Sequence, residues 1–134
     1  MSSSIERVLS LEPNKMVGNY RYSLDAFIGS GAFSKVYAGF DPNGEMVAIK
    51  VIERKGLDKL LFEQLRNEIL IMQNLKHPNI VRLFDVIETQ NNIYVITEYC
   101  PDGDLESQLT KKRFFSEKEA IAIMKDIFKY LMIV

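Results

Sequence analysis

The chain has 134 residues and a formal net charge of −1; 47% are hydrophobic and 26% charged. That is the composition of an ordinary globular protein long enough for one cored domain, and its near-neutral balance gives no bulk attraction to nucleic acid or to an anionic membrane. A single histidine, His77, and a single cysteine, Cys100, exclude a disulfide framework and a Cys/His zinc cluster. The first residues lack the apolar run of a signal peptide, and no window approaches the roughly 18 apolar residues of a membrane span, so the expected location is cytoplasmic.

Residues 1–19 read as a loose leader, polar at Ser2–Ser4 and broken at Pro13-Asn14. Tyr20–Ile28 is aromatic and apolar and runs as a strand into Gly29 and Gly31. Phe33–Phe40 and Glu45–Ile52 are the next strands, joined by Asp41-Pro42-Asn43-Gly44. Asn-Gly between two β-rich runs predicts a type I′ hairpin, whose two central residues need positive φ. That pairing sets Lys50 across from the strand that follows the glycines.

Lys55-Gly56 closes the third strand, and Asp58 is placed to cap a helix running to Leu75. Leu61, Leu65, Met72 and Leu75 recur at helical spacing, with Glu68 on the same face. A carboxylate in an apolar stripe needs a partner, and Lys50 is the candidate. Lys76-His77-Pro78-Asn79 breaks the helix; Ile80–Ile87 and Asn92–Tyr99 then form a second hairpin around Thr89–Asn92. After the break at Pro101-Asp102-Gly103, Asp104 can cap a short helix through Leu109. Ser116-Glu117-Lys118-Glu119 has the form of a capping box. It opens a last helix with Ile121, Met124, Ile127, Phe128 and Leu131 along one side. The fold class expected is α+β: a five-stranded antiparallel sheet with one helix inserted after the third strand, followed by two helices. The apolar run Leu131–Val134 suggests that the chain is a fragment.

The chemistry concentrates between Ile28 and Lys50. Glycines at Gly29 and Gly31 let a ligand approach the backbone, consecutive N–H groups in such a turn form a concavity for anions, and a lysine adds a point charge for phosphate oxygens. The combination points to a clamp for a nucleoside triphosphate. Gly29-Ser30-Gly31 also suits a tight turn with no ligand. A dinucleotide site, the other use of Gly-x-Gly, needs a helix after the glycines and a parallel βαβ unit, whereas a strand and a hairpin follow here. The blander readings make Lys50 and Glu68 solvated charges, Asp104 a cap and His77 a turn residue. Nothing cationic beside Cys100 lowers the pKa of its thiol, so its backbone matters more than its sulfur.

Several motifs, taken in order, resemble the small lobe of a eukaryotic-type protein kinase and the start of its large lobe. They are Ile28-Gly29-Ser30-Gly31-Ala32-Phe33-Ser34-Lys35-Val36, Val47-Ala48-Ile49-Lys50, Glu68 on the helix, and His77-Pro78-Asn79-Ile80-Val81. Tyr94–Cys100 is similar to the hinge, and Gly103-Asp104-Leu105 to the start of the following helix. The wording leans to the Ser/Thr branch and is similar to autophagy-initiating or calcium/calmodulin-type kinases. The resemblance divides the chain into a leader, 1–19, and a partial kinase domain, 20–134, with the small lobe at 20–99 and the hinge and first large-lobe helices at 100–134.

What this resemblance implies is an ATP site. The loop Gly29–Ser34 would cover the phosphates with Phe33 at its tip, and Ile28, Val36 and Ala48 would form the upper wall of the adenine pocket. Lys50 would hold the α- and β-phosphates and pair with Glu68. Thr97 would stand behind the adenine, which the Glu98 carbonyl and the Cys100 N–H would bind, while Asp104 would take the ribose. Ser34 replaces the loop's usual third glycine. No His-Arg-Asp or Asp-Phe-Gly triplet occurs in these 134 residues. The groups that take the substrate proton and hold Mg2+ are therefore missing, no metal ligands are assigned, and the chain alone is expected to be inactive. In the parent the implied partners are ATP with Mg2+ and a protein substrate, with the missing lobe or a protein partner covering the last helix. The alternatives are a non-catalytic module that docks on another protein through that helix, and a nucleotide sensor without transfer chemistry.

Overall fold

A computed structural model describes residues 14–31, 33–101, 109 and 115–133. Its strands are β1 (Lys15–Val17), β2 (Tyr20–Ser30), β3 (Ser34–Phe40), β4 (Met46–Glu53), β5 (Leu83–Glu88) and β6 (Asn92–Glu98). Among the described residues, two helices, α1 (Lys59–Asn74) and α2 (Glu117–Ile133), and a 3-10 turn at Arg54–Gly56 accompany the strands. The strands make one antiparallel sheet in the order β1-β2-β3-β4-β6-β5.

The sheet has six strands, not the five expected. The extra one, β1, lies in the segment read as leader and pairs Val17 with Tyr20 across the two residues Gly18-Asn19. Gly18 takes a φ of +55°, which a β-hairpin turn of two residues demands and glycine supplies without strain. Gly-Asn is itself a hairpin signal, overlooked because the stretch before it is polar and short.

The β3–β4 connection also differs from expectation. Its central residues are Pro42 and Asn43, closed by the Gly44 N–H donating to the Asp41 carbonyl at 3.0 Å. Gly44 follows at φ +84°, and the Asp41 carboxylate accepts from the Asn43 and Glu45 N–H groups, both at 2.9 Å. Pro42 explains the change: its fixed φ suits the first central position of an ordinary turn, and the aspartate rewards that turn with side-chain hydrogen bonds.

Each face of the sheet buries its own cluster. Val17, Tyr22, Tyr37, Val47, Ile49 and Ile96 pack on one side, with Ile49 and Ile96 wholly buried. On the other, Ile52, Ile93 and Val95 receive α1 through Phe62, Leu65 and Ile69. Asp58 caps α1 as expected, its carboxylate accepting from the Leu61 N–H at 2.8 Å. The capping box of α2 forms in both directions: the Glu119 N–H donates to Ser116 Oγ at 3.1 Å, and the Ser116 N–H to Glu119 Oε1 at 3.4 Å. Arg54 ties the end of β4 to both neighbours. Its guanidinium donates to the Thr89 carbonyl at 3.1 Å, lies 3.9 Å from the Glu88 carboxylate and sits 5.7 Å over the Phe62 ring.

Ala32, the Pro-Asp-Gly break beyond Pro101, the capping role of Asp104 and the side chains of Phe128 and Leu131 lie outside the described residues. Leu109 is helical, and Ile80–Arg82, read as strand, lies before β5: Ile80 closes a turn by donating its N–H to the His77 carbonyl at 3.1 Å, and Val81-Arg82 is irregular backbone.

Candidate nucleotide-binding face

Directly opposed residues of an antiparallel pair share a face, and alternate residues of a strand return to it. The register therefore decides which candidate residues act together. Gly29 of β2 stands opposite Val36 of β3, Val36 opposite Lys50 of β4, and Lys50 opposite Val95 of β6. Two residues along, Ala38 stands opposite Ala48, and Ala48 opposite Thr97. Val36, Ala38, Ala48, Lys50 and Thr97 thus line one face, which continues into the Ile52-Ile93-Val95 cluster that seats α1. Ala38 was missed in the sequence, although it follows Val36 at strand period. Two opposed alanines leave this patch low, and Lys50, exposed, stands beside it.

The loop at the end of β2 and β3 is closed by its backbone. The Gly31 N–H donates to the Ser34 carbonyl at 2.9 Å, and the Glu53 N–H to the Phe33 carbonyl at 3.1 Å. Gly29 and Gly31 are not in the left-handed region, so conformation is not their reason. A Cβ on Gly29 would meet nothing within 4 Å, which leaves the backbone open to an approaching group, whereas one on Gly31 would lie 3.0 Å from Ser34 Oγ. A bulge between Phe27 and Gly29 precedes the loop and leaves Ile28 46% exposed. Ser30 pairs with Lys35, both exposed, and Lys35 in turn opposes Val51, placing its side chain on the face away from Lys50.

At the far end of the face, Glu98 is fixed against the incoming chain. Its N–H donates to the Arg82 carbonyl at 2.9 Å and its carboxylate accepts from the Arg82 N–H at 3.3 Å. Thr97 Oγ1 lies 3.4 Å from the Glu98 carbonyl, and the exposed Cys100 brings its sulfur to 4.0 Å of it.

Two features depart from the expected site. The first is the lysine–glutamate pair. Among the described residues, ion pairs within 4.0 Å join Arg54 to Glu88 and Lys55 to Glu53, both at 3.9 Å, and Lys50 and Glu68 are exposed without joining one. The helix explains this. It docks by Phe62, Leu65 and Ile69, a stripe turned by about 50° from the Leu61-Leu65-Met72 face at 100° per residue. Glu68 thereby leaves the apolar seam and needs no buried partner.

The second concerns the surface depressions. One of about 450 Å3 beside the loop is lined by Tyr37, Val51, Glu53 and Asn92 together with loop residues such as Ser34. Another of about 560 Å3 lies between Glu53–Lys55 and Gln90–Asn92. Neither includes Val36, Ala48, Lys50 or Thr97, and Tyr37 and Val51 point to the opposite face of the sheet. The candidate face is an open wall, and a wall of one side only encloses little volume.

On that opposite face the tyrosines carry the shifted groups. Burial, then the negative charge of Asp85 and a hydrogen bond to it, raise the Tyr20 hydroxyl above its ordinary pKa of 10.0. Burial raises Tyr22 likewise, followed by Tyr94 and Tyr37.

Residues 22–133 match the family model of the protein kinase domain. The chain belongs to the protein kinase domain family. Hormonally up-regulated neu tumor-associated kinase of Mus musculus is 40% identical to it over 120 residues, 87% of this chain and 17% of the relative. Calcium-dependent protein kinase 5 of Plasmodium falciparum is 38% identical over 112 residues, 82% of this chain and 19% of that protein. Maternal embryonic leucine zipper kinase of Danio rerio is 40% identical over 111 residues, 82% and 16%. The chain spans less than a fifth of the length of these curated relatives. Within the family, an antiparallel sheet, a helix docked after its fourth strand and the open wall beneath the glycine loop make a kinase small lobe.

Proposed function

We propose that this chain is the ATP-binding portion of a protein Ser/Thr kinase, the parent of which transfers the γ-phosphoryl group of ATP to protein hydroxyls. The observation that carries the reading is the row Gly29-Val36-Lys50, with Ala48 and Thr97 two residues along on the same face. Val36 and Ala48, both half-buried, give adenine an apolar wall over the buried Ala38, Gly29 leaves room for phosphate, and Lys50 neutralises the α- and β-phosphate charge from the adjoining strand. Asp104, outside the described residues, would take the ribose. Pairing of Lys50 with Glu68 belongs to a state in which α1 has turned Glu68 toward the sheet.

ATP chelates Mg2+ through its phosphates, and that ion supplies charge neutralisation when bound; the 134 residues contribute the wall and the lysine but no Asp-Phe-Gly ligand. They bind nucleotide weakly and do not transfer phosphate by themselves. Ile121, Met124 and Ile127 are 40–48% exposed along one side of α2 and favour a covering protein surface, which in the parent is the remainder of the kinase domain.

The test is thermal unfolding of the chain with Mg-ATP. At 100 to 1,000 times Kd, ATP stabilises the fold by about 2.7–4 kcal/mol. Lys50→Met removes most of that gain while leaving the nucleotide-free melting temperature unchanged. A titration that is flat, or equal in the variant, contradicts the reading.

A further inference from the structure

Gly56 sits in the turn between β4 and α1, where nothing in its backbone asks for glycine. The positive-φ glycines among the described residues are Gly18 and Gly44, so Gly56 has a conformation open to any L-residue. It lies in a single 3-10 turn closed by the Leu57 N–H donating to the Arg54 carbonyl at 3.0 Å, which other residues form equally well. The reason for glycine lies elsewhere in the chain. A Cβ at Gly56 would fall 2.5 Å from Cδ1 of Phe33 and 3.2 Å from its Cε1 and Cγ. The ring of Phe33 therefore occupies the space a side chain would fill.

Phe33 is the tip of the glycine loop, and it is tied down twice at the same place. Its carbonyl accepts from the Glu53 N–H at 3.1 Å, and the next residue, Ser34, stands opposite Ile52 at the end of β4. With the ring seated on Gly56, the loop is held from three successive points on the segment that leads into α1. Phe33 nevertheless remains 42% exposed, so its burial alone gives little reason to hold this place; the bare backbone of Gly56 does.

We propose that Gly56 is a positioning residue for the phosphate-covering loop: it provides the seat for Phe33 and thereby links the height of the loop to the turn that starts α1. The proposal rests on the nucleotide reading for its consequence, though not for the contact. Replacing Gly56 by alanine forces Phe33 off its rotamer and lifts the loop, so the Gly31–Ser34 backbone bond opens more often. The cost falls on loop position and on phosphate binding, while the sheet is untouched.

Amide hydrogen exchange of the nucleotide-free chain reads the contact directly. Gly56→Ala is expected to speed exchange at Gly31 by about three- to tenfold, the size of a rotamer-strain penalty, with exchange at Ile49 and Ile96 unchanged. Phe33→Ala speeds Gly31 too, and adding Gly56→Ala to it produces no further change. In parallel, Gly56→Ala raises the Kd for Mg-ATP by a similar factor, and Phe33→Ala erases the difference between glycine and alanine at 56. Unchanged Gly31 exchange in Gly56→Ala, or an equal effect of that substitution in the Phe33→Ala background, overturns the proposal. A positive exchange cycle in a chain that ignores ATP supports the contact and overturns the nucleotide reading instead.

Discussion

Gly39 shows how a single residue can be fixed by partners far from it in sequence. A Cβ there would lie 2.5 Å from the Arg21 carbonyl and 2.8 Å from Cδ1 of Ile49. The first neighbour is backbone paired in the sheet and the second is a wholly buried core side chain, so neither yields cheaply. Gly39→Ala is expected to cost about 1–3 kcal/mol in urea unfolding, as overpacking of a filled core does. Tyr20 gives a residue-scale pH dependence. Its hydroxyl is raised above 10.0, so the folded state holds the phenolic proton more tightly than the unfolded chain. That contribution is complete below pH 10 and is lost as pH rises through the higher folded value. The melting temperature should therefore fall as pH rises above 10, and fall less in Tyr20→Phe. Local devices such as the Asp58 cap and the Ser116–Glu119 box were legible because both partners lie within three residues. Gly39 and Gly56 were not, because their reasons are Arg21, Ile49 and Phe33, which only the folded chain brings near.

At the scale of elements, α1 carries the main lesson. Its residues are apolar around much of the helix, including Leu60, Leu61, Phe62, Leu65, Ile69, Leu70 and Ile71. Periodicity therefore locates the helix while leaving its docked face open to several choices. The sheet settles it by presenting Ile52, Ile93 and Val95 to Phe62, Leu65 and Ile69. Ile69→Ala should accordingly destabilise by about 1–3 kcal/mol, and Met72→Ala by clearly less, in matched denaturant titrations. An equal or inverted order would restore the face read from the sequence and, with it, a buried Glu68. The same contrast governs the hairpins. Asn43-Gly44 correctly marked a reversal, but Pro42 and the Asp41 side chain moved its centre by one residue.

For the whole molecule, the order of motifs along the chain carried more than any one of them. Strand, glycine loop, strand, hairpin, Lys50, helix and second hairpin fix an antiparallel sheet, and only β1 was added to it. The register then brings Val36, Ala48, Lys50 and Thr97 to one face, which neither composition nor single motifs could establish. The main depression beside the glycine loop lies on the reverse face, next to Tyr37 and Val51. The two faces are thus rival locations for a ligand, and methyl NMR separates them. On titration with Mg-ATP, the methyl resonances of Val36, Ala48 and Thr97 are expected to shift with a common Kd while those of Val47 and Val51 stay in place. Shifts confined to Val51 and its neighbours, with Val36, Ala48 and Thr97 unmoved at saturating ATP, would contradict the assignment of the nucleotide to the Lys50 face.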